Sequence, residues 1–301
     1  MKNQGWRIVI AEDAASLGYS SGNISIKTAC GARNIPIAQI STLIINSYRI
    51  SLSACLVSEL SKNGVKLIFC DEKKNPCCEL TPYSNNWQSS GRLFSQLEWS
   101  REEKDVMWQK IVKSKIICQY KLLKHLGISG AERLLEYSDA VEPADNTNRE
   151  GQAARIYFEL LFGRGFLRHS CDRINSALNY GYTVLLSMIN RLVAAYGYNS
   201  CLGIKHCSQS NPHNLSCDLI EVFRPFVDKT VYKNQQAELT SEYKKELIGV
   251  LCGDIFYDKK KTDMQTAAEL YICDVLKNMT NINYTMRDID FEQTSRHIVD
   301  I

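Results

Sequence analysis

Nowhere among the 301 residues do eighteen apolar residues run together, so no membrane span is expected. The chain also lacks a secretory leader pattern. Together these absences predict a cytoplasmic protein that makes no use of a membrane. An excess of one charge is missing as well: 36 Lys and Arg face 33 Asp and Glu, a formal net charge of +3. Any nucleic-acid contact must therefore come from local patches and not from overall charge. No phosphate-loop motif occurs, so no nucleotide is expected to power the reaction. Internal repeats and low-complexity tracts are absent too.

Cysteine is abundant, with twelve in all, but the chain is too long for a small disulfide scaffold. In a cytoplasmic setting they read as reduced thiols. Cys201, Cys207, His213 and Cys217 lie close together in sequence. They contain no C-x-x-C pair and match no common zinc-finger spacing, which disfavours zinc. Cys77 and Cys78, being adjacent, form no such motif either, and free, partly buried cysteines account for both groups.

Apolar residues make up 45% of the chain and charged residues 23%, the proportions of an ordinary globular protein. The length suffices for two domains. The first eighty residues read as strands. Trp6, Ile8 and Ile10 alternate with Arg7 and Val9, Ile24 and Ile26 with Ser25 and Lys27, and further apolar runs follow at Leu43-Ile44-Ile45 and Lys66 to Cys70. Clean alternation predicts sheets with one face in a core. A helix is expected over Ser51 to Lys62, closed by Asn63-Gly64. The segment Thr81 to Gly91 is turn-rich, after which helical patterns dominate. They cover Leu93 to Leu126 as two helices, Ala131 to Glu136, Asp172 to Tyr196, Glu238 to Phe256 and Met264 to Met279. Lys259-Lys-Lys261 reads as a solvated loop. The predicted fold class is α+β: a β-rich domain over 1–85, a linker over 86–98, and an all-α domain over 99–301.

The chemistry concentrates in Gly203 to Asp228. Ser216 is a good N-cap for a helix from Asp218 to Lys233, and Asp218 and Glu221, three apart, share a face near its start. There the helix dipole favours ionised carboxylates, available to a hard cation. Pro225 predicts a kink just after Glu221, and Arg224 is spaced to meet an acid or a phosphate. The polar, turn-rich stretch between His206 and Ser216 can fold back to bring the imidazole to the helix start. A solvated acidic face with a loop histidine is the commoner arrangement for such residues taken alone. Glu150 lowers the odds of that arrangement. It lies on the apolar stripe of a helix carrying Ala154, Tyr157, Phe158 and Leu161, where a carboxylate is costly unless paired or metal-bound; a first-turn Glu favouring the dipole is the alternative. Asn175 and Asn179 share one face of an apolar helix, suited to bond a neighbouring backbone or the loop holding His206. Basic residues gather nearby in the sequence, among them Arg149, Arg155, Arg164, Arg168, Lys205 and Arg224, as a phosphate-bearing substrate requires.

Asn148 to Ala154, Asp172 to Tyr182, Leu202 to His206, Asp218 to Pro225 and the strand region Asn63 to Asp71 resemble, in order and spacing, the CRISPR-associated integrase family. This is the universal spacer-acquisition endonuclease, in its branch from type II systems with a single-protein effector nuclease. The resemblance implies an N-terminal β-sandwich that mediates a two-fold homodimer, followed by a helical catalytic domain. It implies Glu150, His206 and Glu221 as catalytic ligands of one Mg²⁺ or Mn²⁺, with Asp218 auxiliary. Lys205 stands where a histidine would be expected, and Arg149, Arg164, Arg168, Lys205 and Arg224 are candidates for DNA phosphates. The implied reaction is insertion of a short donor duplex into a repeat array, by 3′-hydroxyl attack on a phosphodiester. Implied partners are double-stranded DNA (donor and repeat array) and a small ferredoxin-like partner dimer, which completes a heterohexamer. In this branch a ring-shaped DNA-binding protein and the effector nuclease also join. Two other functions suit the same residues: a metal-dependent endonuclease that cuts branched or double-stranded DNA without joining, and a DNA-binding scaffold with structural acids.

Overall fold

A computed structural model describes residues 5, 7–12, 14, 16–28, 31–72, 74–80, 89–295 and 298–300. Contacts divide the chain into two compact units, one of residues 1–85 and 295–301, the other Asn86–Thr294. Trp6 and residues 81–88, which include the start of the linker expected over 86–98, lie outside the described residues.

The first unit opens with β1 (Arg7–Ala11), β2 (Ser16–Ser20), β3 (Asn23–Thr28), β4 (Gly31–Pro36), β5 (Ile40–Ile45) and β6 (Ser51–Leu52). Helix α1 (Ala54–Lys62) follows, then β7 (Lys66–Cys70) and β8 (Pro76–Glu79). Ser53 caps α1, its side chain accepting from the Leu56 N–H, so the helix starts three residues later than the Ser51 expected from sequence. One sheet runs β4-β3-β2-β6. Leu17, Ile24, Ile26, Val9, Leu43, Leu67 and the α1 residues Leu56 and Leu60 share a single core.

The expected one-faced burial holds for β3, whose Ile24 and Ile26 are buried between more exposed neighbours. It fails for β1 and β5: every residue of Ile40–Ile45 is buried, as are Ile8, Val9 and Ile10. These strands pair in parallel with one another, and β5 pairs in parallel with β7. Parallel strands are buried on both faces and therefore read as continuous apolar runs. Lys66 is buried in this sheet against Glu79 of the antiparallel edge strand, at 2.5 Å.

The second unit is mainly helical. It contains α2 (Ser89–Glu98), α3 (Arg101–His125), α4 (Arg133–Asp139), α5 (Arg149–Phe162), α6 (Arg173–Ala195), α7 (Asn214–Leu219), α8 (Arg224–Lys233), α9 (Ser241–Gly249) and α10 (Met264–Lys277). The helical pattern expected from Leu93 thus begins at Ser89, inside the linker placed over 86–98. The helix α3 begins on a full capping box between Ser100 and Glu103, which satisfies two otherwise unpaired backbone donors. The expectation of an all-α second domain is corrected by β9 (Gly253–Tyr257), β10 (Lys260–Asp263) and β11 (Ile289–Ser295), which form a three-stranded sheet. The helix expected through Phe256 ends at Gly249. Ile255-Phe256-Tyr257 favours a strand, and Asp258 and Lys259 take left-handed φ of 52° and 63° to turn the hairpin. Lys260 and Lys261 are accordingly strand residues and not loop. The last strand, β12 (Ile298–Asp300), returns to the first unit and pairs in parallel with β1, giving the order β12-β1-β5-β7-β8. Among the described residues no helix is long and apolar enough to cross a membrane.

Candidate active site

The site is built by short-range devices that aim charged groups inward from α3, α5, the loop before α7, and the turn between α7 and α8. At the start of α5, the Asp145 carboxylate accepts from the Arg149 N–H at 2.8 Å and the Glu150 N–H at 3.0 Å. The Asn148 side chain accepts from Gly151. Three of the open donors of the first turn are so satisfied, and Glu150 is held on the line of buried Ala153, Tyr157 and Leu161, whereas Ala154 and Phe158 of the stripe expected from sequence are only partly buried.

The segment 214–233 departs from the single helix expected. α7 starts at Asn214 with His213 in the cap position. Ser216, expected as the cap, is instead buried and bonded to Ser200 at 2.7 Å and Asn190 at 3.1 Å. A 3₁₀ turn over Glu221–Phe223 separates α7 from α8. Pro225, in the first turn of α8, has no N–H to continue the α-helical ladder, which is the kink expected from sequence. The break also separates the tasks of the two acids.

Asp218 is fully buried and both its oxygens are engaged. Oδ2 accepts from the N–H groups of Ile204 at 2.6 Å and Lys205 at 3.1 Å; Oδ1 accepts from the His206 N–H at 3.1 Å and pairs with His206 Nδ1 at 2.7 Å. The expected auxiliary ligand is therefore occupied in orienting the His206 loop. Gly203 allows this closeness: a Cβ there would sit 2.2 Å from the His206 carbonyl oxygen and 2.8 Å from Asp218 Oδ2. The hydrogen bond to Asp218 is the main reason the His206 imidazole is held above its usual pKa. Its ring is partly exposed and meets Trp108 edge-on, with centroids 5.9 Å apart.

Glu221 is buried, with Arg224 Nη2 2.9 Å from its Oε1. Its Oε2 has Lys115 Nζ at 2.5 Å as an ion pair, but accepts no hydrogen bond of good geometry. Lys115 also donates to Glu150 Oε1 at 2.5 Å. Burial works against charge on both partners, yet Arg224 and then Lys115 hold the Glu221 carboxyl below the usual range. Glu221 and then Glu150 likewise hold the Lys115 ammonium above its own.

The carboxylates of Glu150 and Glu221 with the imidazole of His206 are hard oxygen and borderline nitrogen donors, a set that suits Mg²⁺ or Mn²⁺. The Oε2 of Glu221 lies 2.5 Å from Lys115 Nζ, so it would reach a ligand atom only in exchange for that ammonium. The arrangement is nonetheless that of an acid pair closed on an ammonium. Among the described residues, no three His, Cys, Asp or Glu side chains stand together as a ready metal cage, and the same holds for the cysteines around His213.

The basic residues divide. Arg224 belongs to Glu221 and lies over the Tyr182 ring at 4.8 Å. Arg168 lies over the same ring at 5.1 Å and donates to Asn175 and Asn179. These asparagines hold the segment after α5, not the His206 loop; Asn175 also bonds the Leu167 carbonyl. Lys205 donates to the Ala144 carbonyl at 2.8 Å. Arg149 bonds Gln152, and Arg164 is exposed in the segment after α5.

Sequence reasoning missed Lys115 and Asp145. A signal for Lys115 was present: it falls on the stripe Trp108, Ile111, Val112, Ile116 and Leu122 of α3, all buried, where a lysine is out of place. Asp228, which the sequence offers only as an acid spaced to meet Arg224, is buried between the hydroxyls of Tyr157 at 2.7 Å and Tyr182 at 2.5 Å.

A family model described as CRISPR associated protein Cas1 matches residues 8–252. The chain is 32% identical over 284 residues to the CRISPR-associated endonuclease Cas1 of Neisseria meningitidis serogroup C (strain 8013), covering 92% of this chain and 93% of that protein. It is 30% identical over 246 residues to a CRISPR-associated endonuclease Cas1 of Pyrobaculum aerophilum, covering 75% and 81% respectively. In fold it resembles a casposase bound to its integration product (TM-score 0.75, 16% identity, 98% of this chain and 95% of that one). A Cas1 protein from Thermotoga maritima is similar to the same degree (TM-score 0.75, 16% identity, 95% and 100%). A chain of a Cas6-RT-Cas1–Cas2 complex is also similar (TM-score 0.70, 20% identity), with 93% of this chain matching 35% of that longer one. The matched family model, spanning both the strand region and the segment with Glu150, His206 and Glu221, shows that the chain belongs to the Cas1 family of CRISPR-associated endonucleases.

Proposed function

We propose that this Cas1 protein is a divalent-metal-dependent DNA integrase that inserts short donor duplexes into a CRISPR array. The observation that carries the reading is the meeting of Glu150 and Glu221, from separate elements, at one buried cation beside a histidine oriented by Asp218. The casposase likeness supports joining as the outcome of the chemistry. Donor 3′-hydroxyl oxygen attacks phosphorus, a new P–O bond forms as the bond to the leaving 3′ oxygen breaks, and the number of phosphodiester bonds is conserved. Glu150, His206 and Glu221 would hold Mg²⁺ or Mn²⁺, which would supply Lewis-acid polarisation of the phosphate.

Asp218 accepts at His206 Nδ1 and leaves Nε2 as the ring nitrogen for a ligand. Arg224 fixes Glu221 through one oxygen. Arg168, Arg164, Arg149 and Lys205 supply phosphate contacts with no base readout. The first unit serves as the homodimer contact, and the Cas1–Cas2 complexes among the similar structures support a Cas2 dimer as partner in a heterohexamer. The effector nuclease and the ring-shaped DNA-binding protein are further partners if the chain belongs to the type II branch, a reading favoured by the Neisseria relative. A cytoplasmic site of action follows from its DNA substrate.

The test is a joining assay with labelled donor duplex, a supercoiled repeat target and the partner protein. Glu221→Gln and His206→Ala are expected to lose joining, as is wild type in chelator, while circular dichroism and donor affinity stay near wild type. Joining by both variants at the wild-type rate refutes the site. Cleavage with no joined product by wild type assigns the chain to the simple endonucleases instead.

A further inference from the structure

Lys115 is an anomaly on its own helix. Its side chain is only 11% exposed, and the residues three and four positions away on α3 are Ile111, Val112, Cys118 and Gln119. α3 offers no acid at those positions. Both counter-charges arrive from other elements, Glu150 from the first turn of α5 and Glu221 from the 3₁₀ turn, each with an oxygen 2.5 Å from the same Nζ. A buried ammonium tolerates such a place only when paired. In return it offsets the repulsion of two carboxylates brought to one point.

These are also the two carboxylates assigned above to a divalent ion. We propose that Lys115 is an internal counter-cation of the acid pair, which keeps Glu150 and Glu221 assembled before an ion arrives and then competes with that ion for their oxygens. The inference rests on the metal-binding reading above. An ion that engages both carboxylates must displace the Nζ from at least one of them, and like charges at contact range repel strongly in a buried setting. Lys115 therefore weakens the site's hold on the ion while keeping the empty site in shape. A merely structural lysine predicts the opposite for metal: its loss disorders the acids and binding weakens.

Calorimetric titration of the full chain with Mn²⁺ separates the two. Lys115→Met is expected to bind Mn²⁺ at least about tenfold more tightly than wild type, a difference of about 1.4 kcal/mol. Lys115→Arg, which keeps the charge, should bind like wild type. In chelator, Lys115→Met should melt below wild type and recover on adding Mn²⁺. Lys115→Gln, which keeps a donor without the charge, replaces it if the methionine variant does not fold, with the same expected gain in affinity. Equal or weaker Mn²⁺ binding by a folded Lys115→Met or Lys115→Gln protein overturns the proposal while leaving the metal reading intact. Absence of Mn²⁺ binding by wild type and both variants removes the metal reading, and this inference with it.

Discussion

Asp228 is buried near the site and is held by two tyrosine hydroxyls. Both its oxygens accept from tyrosine hydroxyls, and burial, partly offset by those hydrogen bonds, pushes its carboxyl up to about 6 from an ordinary 3.8. The folded state therefore binds this proton more tightly than the unfolded chain. Its contribution to stability is complete below about pH 4 and is lost as the pH rises through about 6, a change on the order of 3 kcal/mol. Urea unfolding of wild type and Asp228→Asn across pH 4 to 7 isolates this group. Wild type should lose stability relative to the variant between pH 4 and 6 and hold constant above, and a flat difference rules the coupling out. At this scale the sequence shows donor types well. Glu150, His206 and Glu221 stand out by residue type and position, whereas Asp218, legible as an acid near Glu221, has a role that depends on where the 204–206 backbone runs.

At the scale of elements, α6 is the best-read segment, because its signals are local. Asp172 caps it, accepting from the Asn175 N–H at 2.7 Å and also contacting the Asn175 and Ser170 side chains. Loss of an N-cap acid costs about 1 kcal/mol. Asp172→Ala should lower stability by about that amount in urea unfolding, and an unchanged midpoint shows the cap to be dispensable. The segment 214–233 was less legible. Its apolar spacing fits one continuous helix, but Ser216 finds buried hydroxyl and amide partners in Ser200 and Asn190, and the proline breaks the ladder. As a consequence the 3₁₀ turn separates Glu221 from Asp218, so one acid meets Lys115 while the other orients His206. The hairpin of β9 and β10 was hidden for a different reason. Its strands are short, and the turn at Asp258-Lys259 uses left-handed φ at non-glycine residues, which carries little sequence signal.

For the whole molecule, a net charge of +3 leaves DNA affinity to local basic groups. Binding of a donor duplex should weaken linearly in log–log terms between about 50 and 200 mM salt. Arg164→Ala should lower the slope by about one without changing sequence preference, as fluorescence anisotropy would show. An unaltered slope means that Arg164 makes no phosphate contact. The division into a β-rich unit and a helical unit was visible in composition and periodicity, since those reflect each segment's own burial pattern. The return of β12 to pair with β1 was not visible, because a parallel pairing between the two ends of a chain leaves no local mark.

By itself the sequence determined what depends on near neighbours along the chain: the helical periods of α3, α5 and α6, the helix start at Asp172, the kink before Pro225, and the inventory of carboxylate and imidazole donors. Only the tertiary structure decided which charges face one another. Lys115 meets Glu150 and Glu221, and Asp218 gathers the 204–206 backbone, because Coulomb attraction and hydrogen bonding act through distances in space. Packing of α3 against α5 and the 3₁₀ turn sets those distances, and spacing in the sequence does not encode them.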